Sequence, residues 1–128
     1  MAAIDGSNTS LQALTEATRM AVSHQATLRL VYVATEETDH KASLTLLAQA
    51  TSAVGGGVPV DTRVLHTEAV YGVTGIVDAL ANGAREWGAD LVVVGSSHRR
   101  GLERWVIGSV AEQLITKVDA SVLLVRPQ

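Results

Sequence analysis

The chain has 128 residues and a mass of 13.4 kDa, which predicts one compact domain, 1–128, able to bury a core without a disulfide or a structural metal. It contains no cysteine, so disulfide frameworks, thiolate zinc sites and cysteine nucleophiles are excluded, and a reducing compartment is permitted. With a net charge of -3, no Phe, two Trp and two Tyr, the chain lacks the electrostatic footprint and the stacking surface of a nucleic-acid binder, so we expect no nucleic-acid partner.

Targeting and membrane signals are missing from the sequence as well. No stretch reaches the roughly 18 consecutive apolar residues of a membrane span. The start of the chain lacks the basic and apolar regions of a signal peptide. We therefore expect a cytoplasmic protein with no membrane partner. Met1 lies almost inside the first apolar run, so either the first strand is short or the true start of the protein lies upstream.

Short apolar runs alternate along the chain with segments of helical period. The runs predict five strands, at Met1 to Ile4, Leu28 to Ala34, Val58 to His66, Leu91 to Val94 and Ser121 to Arg126. The periodic segments predict four helices, at Thr9 to His24, His40 to Val54, Thr74 to Trp87 and Ser109 to Val118. Ser7 or Thr9 is expected to cap the first helix.

The spacing of apolar residues also predicts which face of each of the first two helices is buried. The inner face of the first helix is predicted to hold Leu11, Leu14, Ala17, Thr18, Ala21 and Val22. The inner face of the second helix is predicted to hold Leu44, Leu47, Ala48 and Thr51.

Strands that alternate with helices pair in parallel through right-handed crossovers, which place helices on both faces of one sheet. The fold class is therefore α/β, a three-layer, doubly wound sandwich. Ligands bind such sheets beyond the carboxyl ends of the strands, where the strand order reverses. The loops after the first and fourth strands, residues 5–10 and 95–109, are the places where we expect a site.

The loop after the fourth strand contains features suited to an anion. Gly95 lets a ligand approach the end of a buried strand, and Gly108 with Ser109 offers free N–H groups and the positive end of a helix dipole. Three of the ten basic residues fall within positions 99–104. Phosphate is the candidate anion. The alternative from spacing alone is that the glycines form turns, Ser109 caps the helix and the arginines are solvated.

Several known sites are excluded by their motifs. The chain has no P-loop, no glycine-rich dinucleotide fingerprint and no serine nucleophile elbow. The histidines His24, His40 and His66 fall in different elements without two-ligand spacing, so no structural metal site is expected. Phosphoryl transfer needs a positioned base as well as cations, and only the cations are visible, so any ATP hydrolysis would be slow.

Two separated segments resemble the universal stress protein family. Residues 94–112, VGSSHRRGLERWVIGSVAE, are similar to the family's signature loop, which reads G-x-x-G, nine residues, then G-[ST]. Residues 3–7, AIDGS, are similar to its opening A-x-D-x-S. The similarity covers nearly the whole chain.

The resemblance implies a five-stranded parallel sheet in the order 3-2-1-4-5, of the adenine-nucleotide alpha-hydrolase-like class. It also implies an ATP site between the ends of the first and fourth strands, in which Asp5 contacts the adenosine part. The alternative for Asp5, from its place between a strand and a helix, is a turn former or a helix cap. The residues implied in nucleotide binding are Ala3, Asp5, Val33, Val94, Gly95, Ser97, His98, Arg99, Gly108, Ser109 and Val110. A Mg²⁺ or Mn²⁺ ion bound with ATP would rest on phosphate oxygens and on a hydroxyl such as that of Ser97.

One position departs from the family pattern, because His98 stands where the second glycine is expected and adds bulk beside the phosphate path. His98 could instead donate to a phosphate, with Arg99 or Arg100 as a charge-assisted partner. Two functions follow from the resemblance. The first is an ATP-binding regulatory module of the stress response, which signals to an unknown protein partner. The alternative is a stress protein that binds no nucleotide and acts through dimerisation and partner contacts.

Self-association has a basis in the last strand. Residues 121–126 are apolar and end the chain, so we expect them at a sheet edge, and a hydrophobic edge strand is usually covered or paired. Pairing with a second copy would give a homodimer with two-fold symmetry.

Overall fold

The computed structural model describes residues 1–96 and 109–126. Strands and helices alternate through this part of the chain, joined before α3 by a single 3-10 turn, Ala69–Tyr71. The strands are β1 (Ala2–Ala3), β2 (Leu28–Ala34), β3 (Val60–His66), β4 (Leu91–Gly95) and β5 (Ser121–Val125). The α-helices are α1 (Asn8–His24), α2 (His40–Val54), α3 (Gly72–Trp87) and α4 (Ser109–Lys117).

The five strands form one parallel sheet in the order β3-β2-β1-β4-β5, which confirms the predicted fold class and strand order. Ala2 pairs with Leu30 of β2 on one side and with Val93 of β4 on the other. After β1 the chain forms β2 and β3 on one side of it. The chain then crosses to the other side of β1, where it forms β4 and β5. This reversal opens a crevice between the carboxyl ends of β1 and β4.

Helices cover both faces of the sheet, and the sheet separates the core into two clusters. One cluster joins α1 and α2 to the sheet through residues such as Ala13, Leu14, Leu47, Leu30 and Val93. The other joins α3 and α4 to the opposite face through residues such as Val77, Leu80, Leu114, Val31 and Val92. The alternation of strand side chains between the two clusters is that of a sheet buried on both faces.

The buried faces of α1 and α2 differ from those predicted. Leu11, Val22 and Leu44 are 46%, 53% and 48% exposed, so they do not belong to the core. The sheet face of α1 is formed mainly by small residues, namely Ser10, Ala13, Leu14, Ala17 and Ala21. That of α2 holds Ser43, Leu47, Ala50 and Val54. Most of these side chains are small, whereas Leu11, Val22 and Leu44 lie outside the buried faces.

Helix ends follow local sequence signals more closely. The Ser7 side chain caps α1, as one of the two predicted candidates, and Asp39 caps α2. Gly88 ends α3 with a left-handed φ of 78°, the conformation for which glycine is favoured at that position. In the described ranges no helix has the length and apolar character needed to cross a bilayer.

Strand β1 is shorter than predicted, at two residues instead of the four from Met1 to Ile4. Ile4 still donates its N–H to the Val31 carbonyl at 2.9 Å. The chain then turns at Gly6, which has a φ of 86°, into the cap of α1. The short strand therefore delivers Asp5 and Ser7 directly to the crevice.

Candidate functional site

A cavity of about 490 Å³ lies at the carboxyl ends of β1, β2 and β4. This volume falls within the range of roughly 300–1,000 Å³ that is usual for small-molecule sites. Its apolar wall includes Ala3, Val33, Ile76, Val94 and Val110. Its polar wall includes Asp5, Ser7, Ser10, Tyr32 and Ser96. The cavity is therefore lined from both helical layers, because it opens where the sheet ends between them.

The cavity brings together six of the eleven residues predicted for a nucleotide site. These six are Ala3, Asp5, Val33, Val94, Gly95 and Val110. Ser109 is the first residue of α4, directly before the cavity-lining Val110. The other four predicted residues, Ser97, His98, Arg99 and Gly108, lie outside the described residues.

The loop after β1 is held by a small hydrogen-bond network around Asp5. Oδ1 of Asp5 accepts the Ser7 N–H at 2.9 Å and the Ser7 hydroxyl at 2.6 Å. Oγ of Ser7 accepts the Ser10 N–H at 3.1 Å, which is the cap bond of α1. Oγ of Ser10 donates to the Ser7 carbonyl at 3.0 Å and accepts the Asp5 N–H at 3.4 Å. The network ties Asp5 to the first turn of a helix whose inner face is buried.

Gly95 has a packing role that the sequence did not reveal. A Cβ atom at this position would lie 2.7 Å from the carbonyl oxygen and 2.8 Å from the carbonyl carbon of Thr9. Thr9 belongs to the first turn of α1, so β4 and α1 approach closely only because residue 95 has no side chain. The proposed passage of a phosphate beside Gly95 stays a prediction.

Helix α4 is fixed against α3 by two polar contacts between the helices. The Lys117 ammonium lies 2.8 Å from Oδ1 of Asp78, and the Thr74 hydroxyl lies 3.5 Å from Oε1 of Gln113. Ala111 and Leu114 anchor the same helix to the sheet, at 1% and 0% exposure. These contacts place the first turn of α4, with N–H groups that have no partner within the helix, beside the cavity.

Charge is sparse around the cavity. Among the described residues that line it, Asp5 and Tyr32 are the two with ionisable side chains, a carboxylate and a phenol. No group of three or more histidine, aspartate or glutamate side chains suited to a metal occurs in the part of the chain that the structure describes. The described part of the site is therefore an apolar cleft with one carboxylate and several hydroxyls.

Sequence reasoning missed part of the lining. Tyr32 and Ile76 line the cavity from outside the two loops in which we expected the site. Ser10 and Ser96 lie within those loops but were not among the eleven predicted site residues, and they are only 3% and 6% exposed. The spacing of Ser10 three residues after the cap Ser7 was a usable signal, because a cap accepts from the third residue of its helix. The position of Ile76 offers no such signal, since Ile76 falls on the apolar stripe of α3 like an ordinary core residue.

A second cavity, of about 800 Å³, lies at the opposite end of the sheet and is lined by residues that include Met1, Met20 and Trp87. It is larger than the cavity at the carboxyl ends. The smaller cavity is nevertheless the candidate site, because open parallel sheets bind ligands beyond the carboxyl ends of their strands at the point where strand order reverses.

The fold defines a doubly wound α/β protein with a cavity at its switch point. Residues 1–126 match the sequence profile described as the Universal stress protein family. The chain therefore belongs to the universal stress protein family, as its two motifs indicated. Universal stress protein MJ0531 of Methanocaldococcus jannaschii is 39% identical over 62 residues, which cover 48% of this chain and 35% of that protein. The aligned stretch thus spans about a third of the relative.

Solved structures show the same architecture. A universal stress protein from Archaeoglobus fulgidus has a TM-score of 0.79 at 21% identity, over 97% of this chain and 95% of that chain. A family member from Burkholderia pseudomallei has a TM-score of 0.74 at 28% identity, over 96% and 91%. A universal stress protein solved in complex with cAMP has a TM-score of 0.73 at 24% identity, over 97% and 93%.

Proposed function

We propose that this universal stress protein is a nucleotide-binding regulatory module of the stress response and that its ligand is ATP. One observation carries the proposal. A single cavity at the switch point of the sheet is lined by apolar residues, by the carboxylate of Asp5 and by the first turn of α4. These are the three surfaces that a base, a ribose and a phosphate chain require.

The chemistry of the lining gives ATP one orientation in the site. Ala3 and Val33 offer the apolar wall for the base. The carboxylate of Asp5 accepts hydrogen bonds from neutral hydroxyl or amino donors and repels phosphate, so the nucleoside end belongs there. The phosphates belong at the start of α4, where Ser109 and Val110 provide N–H groups and the helix dipole. Gly108 and the cations of residues 97–104 would complete that end.

A divalent ion, Mg²⁺ or Mn²⁺, fits this arrangement as part of the nucleotide complex. Such an ion neutralises phosphate charge and is held mainly by phosphate oxygens, with the Ser97 hydroxyl as the protein ligand that we propose. We infer that ATP acts as a ligand whose presence alters the surface around the cavity and is read by a protein partner in the cytoplasm.

A universal stress protein of the same fold, solved in complex with cAMP, supports the choice of an adenine nucleotide. ATP and cAMP differ in charge and in the length of their phosphate part. The anion-binding surface at α4 favours the longer phosphate chain of ATP, and a direct comparison of the two ligands tests this choice.

The alternative function is a dimeric scaffold that binds no nucleotide. The observation that favours it is the edge strand β5, in which Val122, Leu123, Leu124 and Val125 are all partly exposed. An apolar edge of this kind is a ready surface for strand pairing. Both functions include a homodimer formed through this edge, and they differ in whether the cavity is occupied.

Calorimetric titration with ATP, with and without Mg²⁺, tests the proposed function. We expect saturable binding at a ratio of one ATP per chain and a loss of about tenfold or more in affinity for Asp5→Ala, since a charge-assisted hydrogen bond contributes about 1.5–3 kcal/mol. Asp39→Ala is the matched control, because Asp39 caps α2 and does not line the site cavity.

Denaturing freshly purified protein and analysing the released nucleotide complements the titration. If no nucleotide is released and no binding is detected at millimolar ATP, the proposed function is contradicted and the dimeric scaffold remains. Binding of cAMP at least as tight as that of ATP would contradict the assignment of the phosphate chain to α4.

A further inference from the structure

The carboxylate that lines the cavity is held on one side only. Both hydrogen bonds that Asp5 accepts from Ser7, at 2.9 Å from the N–H and at 2.6 Å from the hydroxyl, end on Oδ1. In residues 1–96 and 109–126 no hydrogen bond to Oδ2 is recorded. Asp5 itself is exposed, so packing does not fix the rotamer of its side chain.

The Ser7 hydroxyl has no freedom in how it bonds. A serine hydroxyl has one proton to donate and lone pairs that accept. Its oxygen must accept from the Ser10 N–H, at 3.1 Å, because an N–H can only donate. The proton is then available for Oδ1 of Asp5, and the short distance of 2.6 Å is typical of a hydroxyl that donates to a carboxylate.

The same hydroxyl connects Asp5 to the rigid part of the molecule. Ser7 is the N-cap of α1, and Ser10 in the first turn of that helix is 3% exposed. The Ser10 hydroxyl donates back to the Ser7 carbonyl at 3.0 Å. Through Ser7, the exposed carboxylate is therefore connected to the first turn of α1, in which Ser10 is buried.

We propose that Ser7 is a positioning residue for ligand binding. Its hydroxyl and N–H saturate Oδ1 of Asp5, fix the carboxylate in one rotamer and leave Oδ2 as the single acceptor for a hydroxyl or amino group of a nucleoside. This inference rests on the proposed function for its ligand. The fixed carboxylate is a property of the protein alone and can be measured without ATP.

A mutant cycle separates positioning from simple helix capping. Ser7→Ala removes both the donor to Asp5 and the cap, and we expect about fivefold to tenfold weaker ATP binding. Ser7→Thr retains the hydroxyl and is expected to restore affinity to within about twofold, since Thr is also an accepted cap. Asp39→Ala removes the cap of α2 and controls for lost stability, with unchanged affinity expected.

The cycle is closed with Asp5→Ala and the double variant. If Ser7 acts through Asp5, the double variant binds ATP as weakly as Asp5→Ala alone, because the two effects are not additive. A Ser7→Ala loss that persists in full when Asp5 is already alanine would overturn the proposal. So would failure of Ser7→Thr to restore binding.

A measurement on the ligand-free protein tests the positioning role of Ser7 separately from ATP binding. Three-bond couplings between Hα and Hβ of Asp5 report its χ1 rotamer by NMR. We expect one rotamer in the wild type, in Ser7→Thr and in Asp39→Ala, and an averaged rotamer in Ser7→Ala. An averaged Asp5 rotamer in the wild type would contradict the positioning role of Ser7 even if ATP binds. A fixed rotamer without ATP binding would contradict the proposed function alone.

Discussion

Gly95 shows how one residue serves the fold beside a candidate site. Its missing side chain lets the first turn of α1 approach β4, since a Cβ atom would lie 2.7 Å from the Thr9 carbonyl oxygen. Backbone atoms cannot move aside as the tip of a flexible side chain can. The glycine is thus explained by packing alone, whether or not a phosphate passes near it.

Gly95→Ala is therefore expected to lower the free energy of unfolding by about 1–3 kcal/mol, the usual cost of overpacking. Urea unfolding followed by circular dichroism measures this change. Gly56→Ala is the matched control, because nothing lies within 4 Å of its Cβ position and its φ is outside the left-handed region. A stability of Gly95→Ala equal to that of the control would show that α1 and β4 do not make this close contact.

At the scale of elements, an ion pair joins the amino ends of the two strands β2 and β3. The Arg29 guanidinium donates two hydrogen bonds to Asp61, at 2.9 and 2.8 Å. Its Cζ atom also lies 4.8 Å from the centroid of the Trp87 ring at the end of α3. One side chain thereby contacts two strands and the helix that covers them.

The pair makes stability depend on pH. The hydrogen bond from Arg29 lowers the pKa of Asp61 below its ordinary value, with a smaller contribution from the positive charge. Because the folded-state pKa is lowered, the stabilisation is present above the ordinary aspartate pKa of about 3.9 and is lost as the pH falls through the folded-state pKa. The Asp61 side chain is 46% exposed, so solvent screens the pair and its contribution is about 1 kcal/mol or less.

Asp61→Asn is therefore expected to be less stable than the wild type at pH 7 by about 1 kcal/mol or less. This difference in the free energy of unfolding should shrink as the pH falls below the ordinary aspartate pKa of about 3.9. Urea unfolding at a series of pH values measures it. Asp78→Asn is the control. It removes a pair with Lys117 that has a single contact and in which both side chains are more exposed than Arg29, so we expect a smaller loss of stability. A constant difference between Asp61→Asn and the wild type across this range would contradict the assignment.

At the scale of the whole molecule, β5 is the last strand of the sheet that the structure describes, and α4 lies next to it. Gln113 and Lys117 face α3 through their polar contacts. Ile115 lies between them in sequence and, at about 100° per residue, on the side of α4 away from α3. It is 55% exposed. We infer that Ile115 extends the apolar surface of β5 that we propose as the dimer interface.

The dimer proposal predicts a dimer at micromolar concentration in sedimentation equilibrium and at least tenfold weaker association for Ile115→Glu. The carboxylate of the variant would be desolvated at the interface while remaining exposed in the monomer. Leu44→Glu is the matched control, since Leu44 is 48% exposed on α2 in the opposite layer. A monomeric wild type, or equal weakening by both variants, would exclude this interface.

Local patterns in the sequence were sufficient for much of the fold. Alternating apolar runs and helical periods predicted every strand and α-helix of the described chain, but not the 3-10 turn Ala69–Tyr71, because both patterns depend on the order of residues along the backbone. Caps and turns at Ser7 and Gly88 were predictable for the same reason. The similarity of residues 3–7 and 94–112 to one family then predicted the strand order that the sheet has.

The remaining features depend on distances between elements, which no local pattern contains. Period alone did not show that small residues would face the sheet on α1 and turn Leu11 and Val22 outward. Nor did the period predict that Tyr32 and Ile76 line the cavity or that Thr9 packs against Gly95. The sequence by itself determined which elements form, and it predicted a site in the loops after β1 and β4. Only the tertiary structure decided which side chains meet there, because side-chain contacts depend on how closely helices pack on the sheet.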